Sequence, residues 1–311
     1  MFTKKLRCLS KQDINIAGGK GASLGELIRA NFPVPDGFVI LTPTFERFLQ
    51  ESGLDIKIEA IIKNVKPDDI NSAEVASGKI RNLILNADFP KNAAGEIKKE
   101  FSGLKTKCVA IRSSATTEDS SIASQAGELE SYLNTTKVNL LENVKKCWAS
   151  LFAPRAIFYR FENNLQDVGV SVAVVVQKMI QAEISGVCFT THPVTKSRDQ
   201  IVIEAGYGLG EAITGGIITP DTYIIHKNSK TILDKNIGRQ EKMTTRGKNC
   251  NAEKQVLKSR QEKQKLPDAK ILKLAEICKK IENYYKSPQD IEWTFENGKF
   301  CIVQSRPITT L

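Results

Sequence analysis

The stretch DIEWTFENGKFCIVQSRP, residues 290–307, reads as two strands and the turn that joins them. Ile291, Trp293 and Phe295 alternate with Asp290, Glu292 and Thr294, the period of a strand with one apolar and one polar face. Asn297-Gly298 is a strong hairpin signal, because a two-residue turn of the favoured type needs positive φ at both positions. The expected strands are 290–295 and 299–304. Asp290 and Glu292 then share one face of the first, and Gln304 and Arg306 share one face of the second. Two carboxylates and an amide oxygen are hard donors of the kind that hold Mg2+ on a nucleotide. An arginine beside them can stabilise charge on a transferring phosphate. A surface ion pair between Glu292 and Arg306 accounts for the same residues equally well.

Upstream of this hairpin the pattern stays β-rich. Residues 171–177, SVAVVVQ, form a β-branched apolar run suited to a buried central strand. Segments 184–190, 200–204, 222–226 and 231–236 continue as strands, and Pro267 opens a long helix over 268–285. The Lys-, Gln- and Arg-rich stretch 236–266 is expected to be a mobile loop. The front of the chain is helical, with apolar spacing predicting helices over 21–31, 42–51, 56–65, 72–86, 92–104, 140–152 and 154–162. Thr42 is expected as an N-cap, with Pro43 at the first helical position. Two strands, 108–111 and 129–133, flank a polar loop at 112–124. A helical front and a β-rich back make an α+β class, with a cleft between two lobes as the place for a ligand.

Composition narrows the function classes. The chain has 311 residues, 41% hydrophobic and 26% charged, as in an ordinary globular protein. No apolar run approaches the ~20 residues of a membrane helix, and no apolar region follows the basic start as in a secretory leader. Seven scattered cysteines without a C-x-x-C pair argue against a disulfide framework and a zinc site, and for a cytoplasmic location. Residues 227–286 hold 17 Lys/Arg against 7 Asp/Glu, which equals the whole net charge of +10. Nucleic-acid binding is set aside because few aromatics are interleaved for stacking; Tyr284 and Tyr285, at the far end, read as core. A nonenzymatic basic binding module stays as an alternative.

Three further clusters carry chemistry. GGKGASL, residues 18–24, offers close backbone approach, the Lys20 charge and a following helix N-terminus, all suited to an anion. It is not a Walker A loop, since Ile14 and Gly21 stand where Gly and Ser/Thr are required, and a plain tight turn is the competing reading. VAIRSSATTED, residues 109–119, delivers Arg112 and a run of hydroxyls from a buried strand; the alternative pairs Arg112 with Glu118 or Asp119. QAGE, residues 125–128, follows and suits a lid over phosphates. EAGYGLGE, residues 204–211, is no dinucleotide fingerprint, because Glu211 stands where the third glycine belongs. The only histidines, His192 and His226, lack acidic or glycine-rich partners and read as structural.

Taken in order, Gly18–Leu24, Val109–Thr116, CFTTHPVT at 188–195, EAGYGLGEA at 204–212 and the closing hairpin resemble the N-terminal nucleotide-binding domain of phosphoenolpyruvate synthase (pyruvate, water dikinase). The pattern is also similar to pyruvate, phosphate dikinase and rifampin phosphotransferase. The resemblance implies that residues 1–311 are one ATP-grasp nucleotide-binding domain, with lobes near 1–177 and 178–311 and ATP in the cleft between them. It places Lys20 and Arg112 on the ATP phosphates, Arg306 on the γ/β phosphates, and Glu292 and Gln304 on Mg2+ with Asp290 close by. Gln177, Lys178 and Met179 would meet the adenine, Glu204 the sugar or base, and the loop with Gln125 and Gly127 the phosphates. The implied activity splits ATP to AMP and phosphate and passes the β-phosphate to a histidine on a swivelling domain, toward phosphoenolpyruvate from pyruvate. That histidine domain and the pyruvate-binding barrel have no counterpart in these residues, so they are expected in cis or in trans. A rifampin-type antibiotic phosphotransferase would use the same ATP site.

Overall fold

The computed structural model describes residues 1–66, 69–116, 130–162, 171–247 and 251–309. The predicted phosphate loop with Gln125 and Gly127 lies outside these residues. The chain divides into two units, one of Met1–Glu26 and Asp36–Met179, the other of Leu27–Pro35 and Ile180–Leu311. Both mix helix and sheet, giving an α+β fold.

The first unit is built on strands β1 (Thr3–Lys5), β2 (Gly37–Ile40), β3 (Val109–Ala115), β4 (Ser131–Thr135) and β5 (Val172–Lys178), in the order β1-β2-β5-β3-β4. Every pairing is antiparallel. Phe38, Ile40, Val109, Ile111, Val172, Val174 and Val176 project from one face into a core. The helices α2 (Thr42–Glu51), α3 (Leu54–Lys63), α4 (Ile70–Asn86), α5 (Lys91–Gly103), α6 (Leu140–Ser150) and α7 (Pro154–Glu162) supply its other side. Helix α1 (Ile14–Arg29) runs over the opposite face, where Gly21 lies against Val39. Two expectations need correction here. Thr42 is not the N-cap: α2 begins one residue earlier than a Thr42 cap requires, Leu41 takes the cap position, and the Thr42 hydroxyl donates to Asn15 O at 3.1 Å. Residues 112–115 are strand and not loop, because β3 pairs with β5 as far as Ala115↔Val172.

In the second unit β6 (Ile184–Phe189), β7 (Gln200–Tyr207), β8 (Asp221–His226), β9 (Thr231–Asn236), β12 (Gln289–Glu296) and β13 (Lys299–Pro307) form an antiparallel sheet in the order β13-β12-β6-β7-β8-β9. The predicted turn is confirmed, with φ of 49° at Asn297 and 78° at Gly298. Ile203, Tyr223, Ile225, Ile291, Trp293 and Ile302 pack against Ile271, Leu274, Cys278 and Ile281 of helix α9 (Asp268–Tyr285). A short helix α8 (Glu211–Thr214) follows β7. Tyr284 is exposed, not core, while Tyr285 packs at the core's edge.

The described residues of the segment expected as a mobile loop carry regular structure. The segment holds a hairpin, β10 (Lys242–Arg246) with β11 (Asn251–Gln255), and a 3-10 turn at Lys258–Arg260. Its anchors are buried polar groups that composition does not reveal. Gln240 accepts from Tyr207 N at 2.7 Å and donates to Tyr207 O at 2.9 Å, extending the pairing of β7. Lys265 and Asp221 form an ion pair at 2.7 Å with both side chains 0% exposed. Asp221 also accepts from Gly238 N, Tyr223 OH and Lys265 N at 3.0, 2.6 and 2.7 Å. Deleting one partner of such a pair strands a buried charge. Asp221→Ala should therefore lower the unfolding free energy by about 3–5 kcal/mol in urea titrations, and Asp221→Ala with Lys265→Met should recover part of that loss.

Candidate functional site

In the first unit, pairing register sorts the predicted residues by face. Gly37↔Gln177↔Ala110 and Val39↔Val175↔Arg112↔Ser131 are two neighbouring rows on the face away from the helical core. Arg112 and Gln177 are therefore on one side of the sheet, both buried. Lys178 ends β5, donating its N–H to Asp36 O at 2.8 Å, and Met179 follows with its N–H to Cys108 O at 3.3 Å.

Lys20 reaches the same face through a break in α1. Gly18 takes φ 68° and ψ 171° in mid-helix, and a Cβ there would stand 2.1 Å from Ser114 O. Only glycine tolerates both the positive φ and the contact. The Ser114 hydroxyl splints the break, donating to Ala17 O at 2.9 Å and accepting from Gly21 N at 3.1 Å. Lys20 thus sits in the first turn after the break, beside β3. The sequence showed a glycine-lysine cluster and an arginine strand. It did not show that Ser114 joins them, nor that Ser131 stands opposite Arg112. Both facts depend on pairing between segments far apart in the chain.

In the second unit one row runs Gln304↔Glu292↔Val187↔Glu204↔Thr222 across five strands. The adjacent row on the same face runs Arg306↔Asp290↔Phe189↔Val202. Directly opposed residues of antiparallel strands share a face. Glu204, far from the closing hairpin along the chain, therefore joins Glu292, Gln304, Asp290 and Arg306 on the side away from α9. Arg306 pairs with Asp290 instead of Glu292: Nε and Nη2 lie 2.9 and 2.8 Å from a single oxygen, Oδ2. The arginine stays 59% exposed while Asp290 is 14% exposed.

The glycine-rich stretch 204–211 is bent and closely packed. Gly208 has φ 88°, and a Cβ there would meet Thr244 O of the β10–β11 hairpin at 2.4 Å. Leu209 N donates to that same oxygen at 2.8 Å. Gly208 thus seats the hairpin. Both histidines cap turns: His192 Nδ1 accepts from Val194 N and Thr195 N at 3.2 Å each, and His226 Nδ1 accepts from Ser229 N at 3.2 Å. Part of the basic segment is paired within itself, with Lys227–Glu282, Lys235–Asp268, Arg239–Glu241 and Lys242–Glu253 at 2.8, 2.6, 3.0 and 2.8 Å. Among the described residues no helix is long and apolar enough to cross a membrane, and Cys8, Cys108, Cys147, Cys188, Cys278 and Cys301 are free thiols.

The acids on the second face are held against their chemistry. Burial pushes the Glu204 carboxyl above its ordinary 4.5, and the Asp290 charge pushes it further. Burial raises Asp290 above 3.8; Arg306 opposes this, and Glu292 adds to it. Among the described residues no cluster of three His, Cys, Asp or Glu side chains is arranged to hold a metal unaided. Glu292 and Gln304, opposite each other on facing strands, offer one carboxylate and one amide oxygen, hard donors of the type that Mg2+ accepts. The crowding also gives a pH signature. An acid whose folded pKa is raised ionises first in the unfolded chain, so its folded state loses stability as pH climbs from the ordinary value through the raised one. Glu204→Gln should therefore raise Tm relative to wild type at pH 8 and not at pH 4. An equal Tm difference at both pH values would show that Glu204 is not under this strain.

Residues 14–311 match the model of the pyruvate phosphate dikinase AMP/ATP-binding domain. A probable phosphoenolpyruvate synthase of Methanocaldococcus jannaschii is 43% identical over 97% of this chain and 26% of its own length. The phosphoenolpyruvate synthase of Pyrococcus furiosus is 38% identical over 100% of this chain and 44% of its own. The rifampicin phosphotransferase of Bacillus subtilis is 37% identical over 97% of this chain and 35% of its own. The chain spans less than half the length of these curated relatives. With the family model covering nearly every residue, the chain belongs to the pyruvate phosphate dikinase AMP/ATP-binding domain family.

Proposed function

We propose that this chain is the ATP-binding phosphotransfer part of a phosphoenolpyruvate synthase system, with an ATP-grasp fold. It splits ATP to AMP and phosphate and delivers the β-phosphate to a histidine carried on another domain or chain. The observation that carries this reading is the sheet face of the second unit. There Glu292, Gln304, Asp290, Arg306 and Glu204 gather on the side that the core does not use.

Each group has a task under this reading. Lys20 and Arg112 hold phosphate oxygens, Lys20 as a point charge and Arg112 through its planar fork. Gln177, Lys178 and Met179, at the end of β5, meet the adenine. Glu204 binds the sugar or base. Glu292 and Gln304 hold Mg2+, with Asp290 beside them. The metal, when bound, neutralises charge on the phosphate oxygens. Arg306 swings from Asp290 to the phosphate being transferred and stabilises the charge that develops there. Its exposure leaves it accessible, and its partner keeps it oriented. The β,γ-pyrophosphoryl group leaves AMP as its β phosphorus forms a P–N bond to the acceptor imidazole, and water then cleaves the β–γ anhydride, releasing the γ-phosphate and leaving the β-phosphate on the histidine.

The similarity to rifampicin phosphotransferases supports a second acceptor for the same ATP chemistry. The two readings share this site and differ in the domain that completes the enzyme. The test mixes the chain with a separate acceptor-histidine domain and β-32P-labelled ATP. AMP and labelled phosphohistidine should both form. Arg306→Ala should cut the rate by about 10²–10³-fold, the cost of one group that stabilises transition-state charge. Formation of ADP, or ATP binding without AMP, would contradict the proposal, and steep salt-dependent binding of nucleic acid would favour a basic binding module.

A further inference from the structure

A helix that restarts in mid-course needs a cap, and the turn that carries Lys20 has none of its own. Gly18, with φ 68° and ψ 171°, stands in the N-cap position of the turn that begins at Gly19. An N-cap residue ordinarily turns a side-chain oxygen onto the N–H two or three positions on. Glycine has no such oxygen, and a larger residue has no room, since a Cβ at position 18 would stand 2.3 Å from Ser114 Oγ. Ser114 takes over the task from β3. Its hydroxyl accepts from Gly21 N, three residues past Gly18, at 3.1 Å, and donates to Ala17 O, just before the break, at 2.9 Å. Ser114 and both bonds are buried.

The same hydroxyl stands in a fixed relation to Arg112. The two residues are two apart on β3, so they share the face over which α1 runs, and β5 pairs with them at Ala173 and Val175. Lys20 lies inside the turn that Ser114 closes, one residue before Gly21. Loss of the hydroxyl would leave Gly21 N–H and Ala17 O buried without this partner, and the turn would be free to shift against the strand. Arg112 keeps its place through strand pairing, so the change falls on Lys20.

We infer that Ser114 is a positioning residue for phosphate binding: as an N-cap lent by the neighbouring strand, it holds Lys20 in register with Arg112. Ser114 acts through Lys20 and makes no contact with the nucleotide. The inference rests on the nucleotide reading given above and names the group that sets the spacing of its two cations.

The experiment measures the Kd of Mg-ATP by titration calorimetry for the wild-type chain, Ser114→Ala, Ser114→Cys, Lys20→Met and the double variant Ser114→Ala/Lys20→Met. Ser114→Ala should weaken binding by about fivefold to tenfold, and Lys20→Met by about tenfold or more, the sizes of a neutral and a charged hydrogen bond lost. Ser114→Cys, which keeps the shape and offers a poorer acceptor, should fall between wild type and Ser114→Ala. The double variant should bind within about twofold of Lys20→Met alone, because the group that Ser114 holds is already gone. Purely structural damage would instead add to the Lys20 loss. A double variant weaker than Lys20→Met by the full Ser114→Ala factor would therefore overturn the inference, and so would Ser114→Ala that binds as wild type. If Ser114→Ala does not fold, the same cycle is run with Ser114→Cys, and the same two outcomes decide. A wild-type chain that binds Mg-ATP no better than Lys20→Met would overturn the role of Lys20 and this inference with it. A wild-type chain that takes up no Mg-ATP would overturn the nucleotide reading itself.

Discussion

Register in the sheet of the second unit decides what this protein can do. With Glu292 opposite Gln304 on one side and Val187 on the other, the acids, the amide and the guanidinium all leave one face. A slip of one residue in β12 would turn Asp290 and Glu292 into the core against α9 and bring Ile291 and Trp293 to the surface. Trp293 is 1% exposed and Ile291 is 0% exposed, so the slip would give up much of the core's apolar burial. The Asn297-Gly298 turn fixes the same register from the hairpin end. Packing and turn geometry thus place the chemical groups without those groups adding anything to stability.

The first unit solves the same problem with a different lock. Its apolar face is covered by α2 to α7, and its other face keeps Arg112 and Gln177. The lysine comes from a helix that must approach the sheet closely and break at a set point. Gly18 supplies the break, and the Ser114 hydroxyl satisfies the polar groups that the break exposes. A broken helix in contact with a strand would otherwise carry unpaired backbone groups at a cost comparable to a lost hydrogen bond. One hydroxyl therefore ties the position of Lys20 to the strand that carries Arg112, and the two cations are set by a single local constraint.

How much of this was legible depended on whether the signal was local. The hairpin at 290–307, the helix Asp268–Tyr285 and strand β9 could be read because period, turn residues and proline act over a few positions. The partner of Arg306 could not, because Asp290 and Glu292 lie on the same face and only the register tells them apart. Glu204 was noted for its glycines, yet its place in the row with Glu292 and Gln304 follows from β6 lying between β7 and β12. The segment 236–266 was misread for another reason. Its lysines and glutamines suggest solvent, while Lys265 and Gln240 are buried in satisfied networks. Composition gives the average environment of a residue type, and such networks are departures from that average. Residues 112–115 read as a loop because serines are poor strand formers, and pairing to β5 overrides that preference.

The electrostatics of the second face carry a direction. Burial and mutual repulsion raise Glu204 and Asp290, so the folded chain holds acids in a setting that favours their neutral forms. Arg306 meets Asp290 through one oxygen, Oδ2, and opposes the rise of its pKa. Acids with raised pKa on a face that the apolar core does not use mark a functional surface more often than a structural one, and burial supplies the larger share of the shift at both Glu204 and Asp290.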